Sequence, residues 1–112
     1  MKTIISTPKA PSAIGPYNQA TAFDKLIFTS GQIALDPTTM EIVQGGVKEQ
    51  TFQVMENLKA VLEQAGSSFE NVLKTTCYLS DMDNFVAFNE VYGKYFNAET
   101  APARSTVAVK TL

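Results

Sequence analysis

The 112-residue chain contains no histidine. That removes the commonest general base, the commonest metal ligand and every Ser-His-Asp arrangement. It has one cysteine, Cys77, so neither an internal disulfide nor a cysteine-based zinc site can form. Asp81 and Asp83 lack the glycine and distal glutamate of a calcium loop. Neither GxGxxG nor GxxxxGKS/T occurs, and no cofactor is expected. Nine basic residues stand against eleven acidic ones, a net charge of −2, and no basic run interrupts the pattern. A phosphate-reading surface is therefore disfavoured, and nucleic acid is not an expected partner. Met1 to Ile5 is too short an apolar run for a signal peptide, and no stretch is long enough to span a bilayer. The expectation is a cytoplasmic protein with no membrane partner.

What is present is an ordinary globular mixture, 45% hydrophobic and 18% charged, which argues against disorder. At this length one domain, residues 1–112, is expected. Thr3 to Ser6 reads as a short strand. Pro8, Pro11 and Pro16 punctuate a loop, so Ala13-Ile14-Gly15-Pro16-Tyr17 should be stiff. Tyr17 at its end either packs or presents its phenol. Asn18 to Phe23 and Leu26 to Ile33 read as a hairpin across Asp24-Lys25. Gly31 in the second strand implies a close approach by a backbone or ligand, with the Ser30 hydroxyl beside it, or else a bulge. A short strand is expected at Glu41 to Val43.

From Val47 the period becomes helical. Val54, Met55, Leu58, Val61, Leu62 and Ala65 form one apolar stripe, closed by Gly66. Val72 to Leu79 returns to period two. Leu73, Thr75, Cys77 and Leu79 suit packing under helices. Val72, Lys74, Thr76 and Tyr78 form a mixed row, left for another subunit or a solvent-filled centre. Cys77 reads as a small core residue, with no base to make a thiolate. Ser80 and Asp83 stand at capping-box spacing before a second helix. Phe85, Phe88, Tyr92, Tyr95 and Phe96 recur along it as a core stripe. Asn89, beside the stripe, faces solvent or ties a loop. The sum is an α+β arrangement: a mixed sheet, two helices on one face, and the other face left to a symmetric oligomer.

The last strand draws attention to one charge. After Pro102, Ala103, Ser105, Val107 and Val109 point one way, and Arg104, Thr106 and Ala108 the other. The valines make the first face core-like and put Arg104 on the opposite face. A guanidinium among small neighbours has room for a planar anion. Its fork matches a carboxylate through two parallel hydrogen bonds. The plain alternative is a solvated surface arginine.

Five segments, taken in order, resemble the Rid family, also called YjgF-like proteins. They are Ala13-Ile14-Gly15-Pro16-Tyr17, Thr29-Ser30-Gly31-Gln32, the helix from Asn57 to Leu62, Asn89-Glu90-Val91-Tyr92 and Ala101-Pro102-Ala103-Arg104-Ser105. The resemblance runs end to end. It implies a chorismate-mutase-like α+β fold and a homotrimer whose sheets form a central barrel, with a cleft at each subunit interface. It implies hydrolysis of 2-imino acids, such as 2-iminobutanoate and 2-iminopropanoate, to 2-oxo acids and ammonia, without a cofactor. By the same resemblance Arg104 matches the family's carboxylate-binding arginine. Tyr17, Ser30, Gly31 and Asn89 match positions lining the cleft. Backbone groups near Gly31 and Ser105-Thr106 are expected to meet substrate and water. Where the family often has a cysteine two places after the arginine, this chain has Thr106. The family's further strand, which carries a glutamate that helps place the attacking water, has no counterpart before Leu112. Two rival functions stand beside hydrolysis: a non-catalytic module binding a small 2-oxo acid in regulation, and a ribonuclease, which the acidic, histidine-free chain supports poorly.

Overall fold

The structure, a computed structural model, describes residues 1–112. Strands β1 (Thr3–Ile5), β2 (Ala20–Phe23) and β3 (Leu26–Thr29) are followed by helix α1 (Val47–Gln64), strand β4 (Lys74–Leu79), helix α2 (Phe85–Tyr92) and strand β5 (Ala103–Ala108). β1, β2 and β3 form an antiparallel sheet in that order, and β4 pairs with β5 in parallel. The architecture is α+β with two helices, as expected. The hydrogen-bonded ladders, however, form two separate sheets within the chain, not one continuous mixed sheet.

Local chemistry explains the joints. Phe23 pairs with Leu26, so Asp24 and Lys25 make the hairpin turn, and Asp24 takes a left-handed φ of 55°. Aspartate tolerates that region better than most residues. At the start of α1 the Glu49 carboxylate accepts the Gly46 N–H at 3.3 Å, half of a capping box. At its end Gly66, φ 78°, reverses the chain. The Ser67 N–H returns to the Leu62 carbonyl and the Gly66 N–H to that of Glu63, which satisfies carbonyls the helix would otherwise orphan.

Helix α1 spans both sheets. Val61 packs with Ile5, Ala10 and Ala20 over the antiparallel sheet. Met55 packs with Leu79, Phe88 and Tyr92 between the parallel sheet and α2. The opposite sheet faces stay open: Phe23 is 60% exposed and Phe28 64%, and Tyr78 and Val107 are exposed too.

Several local expectations are corrected. β3 stops at Thr29, so Gly31 lies outside the strand. Glu41 to Val43 forms no strand, only a single bridge from Ile42 to Leu35. The turn before α2 is capped by Asp81, whose carboxylate accepts the Asp83 N–H at 2.8 Å, and not by Ser80. α2 ends at Tyr92, with Gly93 as its C-cap. Tyr95 and Phe96 follow in a turn and still reach the core by packing against Phe69.

The largest correction concerns β5. Its pairing sets Arg104 opposite Thr75 and Thr106 opposite Cys77, the row that faces the helices. Arg104 and Thr106 are half-buried, while Val107 is exposed beside Tyr78. Register with β4, not the apolarity of the valines, decides which face is inner.

Candidate functional site

β5 starts after Pro102 and carries Arg104 beneath α2. On α2, Phe85, Asn89 and Tyr92 fall at i, i+4 and i+7, one face of a helix. That face meets the guanidinium. Arg104 Nη1 donates to Asn89 Oδ1 at 2.6 Å. The Arg104 Cζ lies 4.8 Å from the Tyr92 ring centroid and 5.4 Å from that of Phe85, within the range where a cation is drawn to a ring face. The Tyr92 hydroxyl and Thr75 Oγ1 are 2.7 Å apart. Since Thr75 pairs with Arg104 across the ladder, the ring is tied to the strand beside the arginine. Asn89 thus ties a strand, and not the loop expected from sequence.

The two-stranded parallel ladder leaves the outer edges of both β4 and β5 unpaired within the chain. The Ala103 N–H bonds to the Leu73 carbonyl and the Val109 N–H to that of Leu79. With a strand period of two, the odd-numbered amides of β5 turn towards β4, and those of Arg104 and Thr106 turn away from it. The Arg104 fork rises from the helix-facing side of β5, and the N–H groups of Arg104 and Thr106 lie in the plane of the strand beside it; each is a donor suited to a small planar anion. Thr106 Oγ1 is buried with no hydrogen-bond partner. Cys77 lies across from it, and burial pushes its thiol up from the ordinary value despite hydrogen bonding from Thr75 and the Arg104 charge. That environment favours a thiol over a thiolate nucleophile.

The side chain of Ser105 faces away from Arg104, where its Oγ accepts a hydrogen bond from Lys74 Nζ at 3.2 Å. Alternation along β5 forces this, so only the backbone of Ser105 adjoins the arginine. Tyr17, Ser30 and Gly31 gather elsewhere. The Tyr17 hydroxyl accepts the Ile14 N–H at 3.4 Å. Ser30 donates its hydroxyl to the Asn18 carbonyl and its N–H to that of Gln19. A Cβ placed on Gly31 would meet nothing within 4 Å, so the glycine opens on space. No hydrogen bond links this group to Arg104 within the chain. The residues singled out from sequence thus belong to two separate hydrogen-bonded groups.

Sequence reasoning missed Phe85, Tyr92 and Thr75 as partners of Arg104. The signal was the spacing of two aromatics and an asparagine on one helix face. It also missed two buried amides that shape the loops. Gln19 accepts the Thr7 N–H at 2.6 Å and donates to the carbonyls of Thr7, Ala10 and Pro11. Asn57, 1% exposed, donates to the Leu35 carbonyl at 2.9 Å. No three cysteine, aspartate or glutamate side chains gather in one place, and no helix is long and apolar enough to cross a membrane.

The chain is similar to known proteins over nearly its whole length. The family model described as endoribonuclease L-PSP matches residues 7–112. A Synechocystis protein named as a RutC family protein is 56% identical over 110 residues, 97% of this chain and 85% of that protein. The mouse 2-iminobutanoate/2-iminopropanoate deaminase is 46% identical over all of this chain and 82% of its own. Among solved structures, Yersinia pestis YyfA, described as a conserved Rid-family protein, superposes with a TM-score of 0.96 at 43% identity, covering all of this chain and 89% of that one. Escherichia coli TdcF, solved with bound serine, superposes with a TM-score of 0.91 at 41% identity over 98% of this chain and 87% of that one. A family-model match over residues 7–112 and relatives 46% and 56% identical over nearly the whole chain make this chain a member of the Rid (YjgF-like) family.

Proposed function

We propose that this protein hydrolyses 2-imino acids, such as 2-iminobutanoate and 2-iminopropanoate, to 2-oxo acids and ammonia. The observation that carries the reading is the Arg104 guanidinium, already oriented by Asn89 and two rings and still holding free N–H groups. It clamps the substrate carboxylate and so fixes the adjoining imine carbon. Water adds to that carbon while the C=N electron pair moves to nitrogen, which takes up the proton that the added water gives up. The hydroxyl proton of the resulting carbinolamine then passes to nitrogen, the C–N bond breaks to release ammonia, and C=O forms. No electrons are exchanged with a cofactor, and none is needed. Orientation of a carboxylate and a water beside peptide donors is the main task left to the protein. The deaminase name of the mouse relative and the amino acid bound to TdcF both favour this substrate class.

The active form in this reading is a homotrimer. Tyr17, Ser30 and Gly31 of one protomer meet Arg104, Asn89, Thr106 and the Ser105 backbone of the next, completing the divided site. Support comes from the exposed Phe23, Phe28, Tyr78 and Val107 on the uncovered sheet faces and from the unpaired edge of β5.

The test follows 2-oxobutanoate release from 2-iminobutanoate generated in situ by an amino acid dehydratase. Arg104→Ala should lose most of the acceleration while folding is retained. An unchanged rate would remove the proposal. Binding of 2-oxobutanoate by the wild-type chain without any turnover would instead assign the cleft to recognition.

A further inference from the structure

We propose that Phe85 and Tyr92 are positioning residues for Arg104: their ring faces hold the guanidinium in its anion-accepting orientation before the ligand arrives. The inference rests on the carboxylate-binding reading above and extends it to residues that touch no substrate. Three observations carry it. First, the Arg104 Cζ lies within cation–π distance of both rings, 4.8 Å from Tyr92 and 5.4 Å from Phe85. Second, the single side-chain hydrogen bond of Arg104, to Asn89 at 2.6 Å, fixes only one end of the planar group. One bond leaves the plane free to rotate about it; two ring contacts along the same helix face do not. Third, the Tyr92 ring is itself fixed, buried at 7% exposure and hydrogen-bonded to Thr75, the register partner of Arg104.

An arginine has four side-chain torsions to lose on binding. A cradle that removes this freedom in the folded protein shifts that entropic cost out of the binding step. The rings should therefore act on ground-state affinity. Their loss should raise KM for the imine and Kd for 2-oxobutanoate, and leave kcat nearly unchanged.

Phe85 is the better probe, since it is only half-buried whereas Tyr92 is core. Phe85→Leu keeps apolar bulk but removes the ring face. It should raise Kd for 2-oxobutanoate roughly three- to fivefold, with kcat within about twofold of wild type. Replacing Phe85 by mono-, di- and trifluorophenylalanine keeps shape and packing while weakening the ring quadrupole. Kd should climb with each fluorine while the urea midpoint stays constant, a graded response that a purely structural ring would not give. Tyr92→Phe keeps the buried ring face but removes its hydroxyl tie to Thr75, so it should raise Kd, and by less than Phe85→Leu; a larger rise than Phe85→Leu would place the effect in the hydroxyl and overturn the role of the ring faces. If Arg104→Ala abolishes 2-oxobutanoate binding but the Phe85 series leaves Kd flat, the positioning role is wrong and the carboxylate site stands. If Arg104→Ala itself leaves Kd unchanged, the carboxylate site is wrong and the positioning role goes with it.

Discussion

The Asn89 side-chain carbonyl accepts an Arg104 N–H at 2.6 Å, and it does so without carrying a charge. A carboxylate at the same place would make a stronger bond, but it would neutralise the guanidinium and compete with any incoming anion. A neutral acceptor satisfies one donor and leaves the full positive charge available. Asn89→Asp should therefore fold normally and weaken 2-oxobutanoate binding by roughly tenfold, about 1.4 kcal/mol. Isothermal titration on the two proteins checks this. Equal or tighter binding by the aspartate variant would contradict the account of Asn89.

The buried amide of Asn57 is predicted to matter for stability and not for charge. It donates to the Leu35 carbonyl at 2.9 Å and accepts from Gln53 at 2.9 Å. Asn57→Ala leaves the half-buried Leu35 carbonyl without this donor, at a cost of about 1 kcal/mol. Asn57→Asp should cost more, because a carboxylate would face that carbonyl oxygen. Urea unfolding of the three proteins should rank them wild type, alanine, aspartate. Aspartate more stable than alanine would reverse the argument.

Elements set by local chemistry were legible from sequence: the period of α1 with its Gly66 stop, the Asp24-Lys25 hairpin, and the strand bearing Arg104. The inner face of β5 was not. Val107 and Val109 look like core by apolarity, yet Val107 pairs with Tyr78 on the exposed face and Arg104 points inward onto aromatic rings. Apolarity alone cannot separate a core face from an uncovered sheet face, and only the register with β4 does so. The amides of Gln19 and Asn57 were hidden for a similar reason. Their partners lie 12 and 22 residues away in sequence, beyond any local pattern. The contacts of Arg104 with Asn89, Phe85 and Tyr92 were hidden as well, because they join a strand to a helix 12 to 19 residues earlier.

Assembly gives a third prediction. Phe28 lies on the open face of the antiparallel sheet at 64% exposure and belongs to neither core cluster. In the proposed trimer that face is buried. Phe28→Lys should leave the circular dichroism spectrum unchanged and shift the scattering mass from about 37 kDa, three chains of 12.2 kDa, towards a single chain. It should also lower deaminase activity, since the half-site containing Tyr17 and Ser30 would be removed from Arg104. A wild-type protein that runs as a monomer with full activity would contradict the divided site.

Alkaline pH offers the last test. Burial raises the Cys77 thiol above its ordinary 9.0, outweighing Thr75 and Arg104. Burial likewise raises the Tyr92 phenol above 10.0. Burial and the Glu56 carboxylate, which accepts the Tyr95 hydroxyl at 2.8 Å, push Tyr95 higher still. Folding thus favours the protonated form of all three groups. The unfolded chain gives up these protons first, so above about pH 9 it binds fewer than the native chain, and stability falls as pH rises. Below that point the three contributions are fully present and constant. The urea midpoint should start to drop near the unfolded thiol value and steepen as the unfolded phenols ionise. Cys77→Ala should remove the first part of the drop, and Tyr95→Phe should flatten the later part. A midpoint that rises between about pH 9 and 11 would mean these groups are stabilised in their charged forms, against their burial.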